Sequence, residues 1–60
     1  MKRYGNNVIQ TARIYAVVNT GKIGLGNTRE YQIGYADYPA ISVDLTDEQF
    51  EQLILDIDNG

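Results

Sequence analysis

The sequence predicts a small α+β domain: an antiparallel β-meander of three strands followed by one C-terminal amphipathic helix, in the order β-β-β-α. Three observations carry this. Phe50, Leu53, Ile54 and Ile57 follow the i, i+3, i+4, i+7 spacing of a buried helical stripe. Upstream of them, β-branched and aromatic residues recur without a helical period. The connections between these runs are short and rich in glycine, asparagine or proline, which favours antiparallel neighbours over crossovers.

The helix has both a start signal and an anchor. Thr46 is a good N-cap, because its hydroxyl can accept a bond from an N–H of the first turn that has no partner in the helix. Gln49, three residues on, can reach back to the Thr46 N–H and complete a capping box. Leu45 and Phe50 are placed for a hydrophobic staple. The helix is expected over Asp47 to Asp58, lying across one face of the sheet.

The longest strand is expected over Val8 to Asn19. Neither of its alternate residue sets is fully polar, which predicts that both faces are partly covered. Asn19-Thr20-Gly21-Lys22 reads as the following turn, with Gly21 able to take positive φ. Ile23 and Leu25, set among Gly21, Gly24 and Gly26, form either a short fourth strand or an open loop. Thr28 to Ala36 is the next strand, with Tyr31, Ile33 and Tyr35 on one face, and Asp37-Tyr38-Pro39 stops it. Ile41, Val43 and Leu45 alternate with Ser42 and Asp44 in a last strand that runs into the helix cap.

Residues 1–60 read as a single domain, small enough that a monomer would bury only about 60% of its unfolded surface. With no cysteine there is no disulfide, and with no cysteine or histidine there is no ordinary zinc site. Self-association is the remaining common support, so a homodimer is expected. No apolar run reaches the roughly 18 residues of a membrane span. No membrane association is expected, and the expected location is cytoplasmic.

Charge is divided along the chain. The net charge is −3, with all 5 basic residues at or before Arg29 and all 8 acids at or after Glu30. Such halves attract one another within a chain or between two chains, and the acidic half suits a partner with a basic surface.

The residue types for catalysis are sparse. Without histidine or cysteine, Ser-His-Asp and Cys-His arrangements are excluded. Asp47 and Glu48 have a structural role as first-turn acids favoured by the helix dipole. No catalytic residue, metal site or cofactor is expected. Five tyrosines suit interface rims, but the basic residues that interleave with aromatics in nucleic-acid binders are few, so direct nucleic-acid binding is not expected.

Two surfaces compete for a binding role. The first is the acidic helix face: Glu48, Glu51 and Gln52 around Leu55, with Asp56 at its edge. Leu55 lies roughly 140° round the helix from Phe50, away from the buried stripe. The second is the glycine-rich loop, where Lys22 and Arg29 supply charge and Gly24 and Gly26 allow close backbone approach to an anionic metabolite or nucleotide. The residues after Lys22 do not open a helix, so this is no P-loop. The expectation is therefore a small acidic, non-enzymatic protein that binds another protein, of the general kind by which phages and mobile elements inhibit larger nucleic-acid-handling enzymes. A ligand-binding module and a structural subunit of a larger assembly are the alternatives.

Overall fold

A computed structural model describes all residues, Met1–Gly60. Strands β1 (Lys2–Tyr4) and β2 (Asn7–Ile9) form an N-terminal hairpin, and a single 3-10 turn over Thr11–Arg13 follows. Strands β3 (Ile14–Ile23), β4 (Arg29–Tyr35) and β5 (Ile41–Leu45) make the meander, and helix α1 spans Asp47–Asn59. The larger sheet is antiparallel in the order β3-β4-β5, with the small hairpin separate from it. The α+β meander with one C-terminal helix is thus the architecture of the protein.

The expected strand over Val8–Asn19 does not exist as one piece. Its residues are all strand-prone, yet the chain turns at Gln10–Arg13: the Arg13 N–H donates to the Gln10 carbonyl at 3.0 Å, and the Gln10 N–H donates to the Tyr35 hydroxyl at 3.1 Å. A distant tyrosine therefore satisfies the backbone where the strand breaks. The residues before the break pair backwards into a hairpin around Gly5, whose φ of 63° fits the first position of a tight two-residue turn.

The turn expected at Asn19–Lys22 lies inside β3 instead. Gly21 does take positive φ, at 85°, but as part of an irregularity in the β3–β4 register between Asn19 and Ile23. The Asn19 side-chain oxygen accepts from the Gly21 N–H at 2.8 Å, so local side-chain bonding stabilises a bulge in place of a reversal. The reversal comes at Gly24–Thr28, where the Gly24 N–H donates to the Thr28 carbonyl at 3.0 Å. Ile23 ends the strand, and Leu25 lies in the loop, both exposed.

A second irregularity, between Ile14 and Ala16, shifts the parity of β3. Ile14 and Val17, three apart, thereby both pack against the core, opposite Tyr35 and Ile33. Tyr15, at the irregularity, is 81% exposed, and Val18 is 51% exposed. The expectation that both faces of this strand are partly covered holds at Ile14, Ala16 and Val17, which are half-buried, and not at Tyr15 or from Val18 onward.

The core consists of Tyr4, Ile9, Tyr31, Ile33, Val43, Leu45 and Leu53, with Ile14, Val17, Tyr35, Phe50 and Ile57 packed around it. Helix α1 presents Leu53 as its one fully enclosed residue. Phe50 stacks on Tyr31 with ring centroids 4.4 Å apart and planes within 7°. Ile54, expected in the buried stripe, is 37% exposed, because nothing in the chain packs over that flank of the helix. The cap is as expected: Gln49 N–H donates to Thr46 Oγ1 and Thr46 N–H donates to Gln49 Oε1. No helix is long and apolar enough to cross a membrane.

Candidate functional site

The helix divides into three surfaces. Its inner side carries Leu53, with Phe50 and Ile57 beside it. One flank carries Gln49 and Asp56 and is taken up by the N-terminal hairpin. Tyr4 Oη donates to Asp56 Oδ2, Lys2 Nζ lies 3.9 Å from Asp56 Oδ1, and Gly5 approaches the Gln49 side chain closely. The outward face carries Glu48, Glu51, Gln52 and Leu55, all exposed, with Leu55 at 53%.

Asp56, at the edge of the expected cluster, is bonded to Gln52 of that cluster and to Tyr4 of the hairpin. Its side chain is only 14% exposed and accepts from Gln52 Nε2 at 3.0 Å. The Tyr4 hydrogen bond, with help from Gln52 and the Lys2 charge, holds its carboxyl below the usual aspartate range. Burial, and then the bond and charge of Asp56, push the Tyr4 phenol above its usual range. This explains an acid near a helix C-terminus, where local electrostatics disfavours it: its partners come from the other end of the chain.

Beside Leu55 the outward face continues into a shallow apolar depression made by Phe50, Ile54 and Leu55 and edged by Glu51. Spacing predicts both Phe50 and Ile54 to be buried; Phe50 is half-buried on Tyr31, while Ile54 is 37% exposed. Neither Glu48 nor Glu51 has a cationic partner within the chain. The three ion pairs are Lys2–Asp56, Arg13–Asp37 at 2.9 Å and Arg29–Asp47 at 3.4 Å. Each joins the basic half of the sequence to the acidic half. The acids of the outward face are left over from that pairing.

The glycine-loop residues are arranged differently. Arg29 sits at the start of β4 beside the helix N-terminus, where Asp47 takes its charge. Lys22 is exposed in β3, with no ion pair. Gly26 has positive φ, 64°, and open space around it. Gly24 is enclosed by Thr28 and the Asp44 carboxylate; a Cβ there would lie 2.3 Å from Thr28 Oγ1. The adjoining polar cleft, between the N-terminal hairpin and the loop, has Glu30 and Asp44 as its charged residues and no cation. No protein-family model, curated protein or solved structure matches this chain.

Proposed function

We propose that this chain works by binding another protein through the outward face of α1, without catalysing a reaction, and that it does so as a homodimer. The observation that carries the reading is Leu55 together with the depression formed by Phe50 and Ile54, exposed apolar surface ringed by Glu48 and Glu51, which have no cation of their own. An apolar centre with a charged rim is the anatomy of a protein contact, and unpaired acids select a basic partner. The basic groove of a nucleic-acid-handling enzyme is such a surface, and occupying it would inhibit the enzyme.

An anionic ligand at the glycine loop has less support. Arg29 already faces Asp47, the cleft that it lines with Gly26 also carries Asp47 and Glu48, and the neighbouring cleft carries Glu30 and Asp44. A carboxylate-lined cleft repels phosphate.

The two surfaces are separated by affinity capture from cell extract with wild type, the Glu48→Lys/Glu51→Lys double variant, and the Lys22→Ala/Arg29→Ala double variant. The helix variant is expected to fold normally, since exposed charges contribute little to stability, and to lose its captured basic protein. The loop variant is expected to retain it. Retention by the helix variant and loss by the loop variant would overturn the assignment.

A further inference from the structure

The two long edges of the larger sheet are finished differently. The β5 edge is partly capped by the N-terminal hairpin, where the Asn7 side-chain amide donates to the Asp44 carbonyl at 2.8 Å. The β3 edge is bare. It is ten residues long, against seven in β4 and five in β5, and it pairs on one side alone. Proteins usually blunt a long edge strand, because its free N–H and C=O groups template pairing with another chain. Here the only interruptions are the irregularities near Tyr15 and around Gly21, and between them Ala16–Asn19 hold regular register with β4.

The hairpin, on the β5 side, holds the Gln49 and Asp56 flank of α1. The β3 edge exposes Tyr15 and Val18.

We propose that this edge is the self-association surface: two copies pair β3 to β3 antiparallel about a two-fold axis near Val18, forming a continuous six-stranded sheet. The inference rests on the homodimer of the proposed function and names its interface.

Charge complementarity points to a second copy as the occupant. Residues Met1–Arg29 contain no acid, and Lys22 has no partner within the chain. The Arg29–Asp47 pair places the helix N-terminus at the loop end of the sheet. The helix runs from that end toward the other and has no basic residue in its last turn. Antiparallel pairing of two β3 strands brings Lys22 of each copy to the end where the other copy's helix closes with Asp58. Each copy then supplies the cation that the other's helix terminus lacks.

Sedimentation equilibrium of the full chain at micromolar concentration tests the inference. Wild type is expected at twice the 6.7 kDa chain mass. Val18→Lys puts a charge at the axis, and Tyr15→Lys puts one at the edge on a side chain already exposed. Each is expected to raise the dimer Kd at least about tenfold, the effect of 1.4 kcal/mol, with an unchanged far-ultraviolet spectrum. Glu48→Lys/Glu51→Lys is expected to remain dimeric. A wild type that sediments as a monomer throughout would overturn both the homodimer and its interface. A dimer that survives both edge substitutions would overturn this interface alone. Should Val18→Lys unfold, Tyr15→Lys carries the same test.

Discussion

Tyr4 and Asp56 stand 52 positions apart in the sequence and are joined by a hydrogen bond that fastens the first strand to the end of the helix. The carboxylate is the acceptor and the neutral phenol the donor, so the bond needs one group ionised and the other not. Asp56 is held below its usual range, chiefly by the Tyr4 hydrogen bond. Its contribution to stability is thus complete above the ordinary aspartate value of about 3.9 and is lost as pH falls through the folded value. Tyr4 is held above its usual range, chiefly by burial. Its contribution is complete below the ordinary phenol value of about 10 and is lost as pH rises through the folded value. Stability should form a plateau across neutral pH. Tyr4→Phe is expected to lower the thermal midpoint at about pH 7, and the gap from wild type should close as acid protonates Asp56. Melting curves followed by circular dichroism check this. A gap that does not change with pH would mean that the carboxylate is not the acceptor in solution.

Helix α1 depends on two local devices and one distant one. Thr46→Ala removes the hydroxyl that accepts from Gln49 and is expected to cost about 1 kcal/mol. Gly5 supports the same cap from outside: it has φ of 63°, and a Cβ there would lie 2.8 Å from Gln49 Nε2. Gly5→Ala therefore combines backbone strain of about 1–2 kcal/mol with displacement of a capping side chain. Gly21, at φ of 85° in open space, carries the strain alone. Gly5→Ala should be the more damaging of the two in a denaturant titration. The packing anchor is Leu53, fully enclosed, and not Phe50, which is half-buried and held by its stack on Tyr31. Leu53→Ala is expected to cost about 3 kcal/mol or more. Phe50→Ala should cost about 2 kcal/mol, below the range for a fully buried phenylalanine.

Only 7 of 60 residues are buried, so the whole molecule has little reserve. Stability of about 0.05–0.15 kcal/mol per residue gives roughly 3–9 kcal/mol in total, and one change at Leu53 removes a large part of it. Association is the available supplement, because anything that binds only the folded state stabilises it by mass action. The thermal midpoint of wild type is accordingly expected to rise with protein concentration, while that of Val18→Lys should not. A wild-type midpoint independent of concentration would show that the chain carries its fold alone.

The helix, its cap and the strands β4 and β5 were legible because each rests on interactions within a few residues. A hydroxyl three positions from an N–H, or apolar side chains on one helical face, needs no knowledge of the rest of the chain. The N-terminal hairpin was legible too, in Gly5-Asn6 between pairable segments, but the longer strand-prone run after it hid the signal. The break at Gln10–Arg13 was not legible, since its backbone is satisfied by Tyr35, 25 positions away. Nor was the division of the helix flanks. Spacing places Ile54 and Asp56 on opposite sides of Leu53, and hydrophobicity assigns the first to the core and the second to solvent. Tertiary packing reversed both assignments. The hairpin folds against the Asp56 flank and brings Tyr4 and Lys2 to the carboxylate, while no segment reaches the Ile54 flank. Periodicity specifies the direction of a side chain, but burial depends on whether another part of the chain lies in that direction.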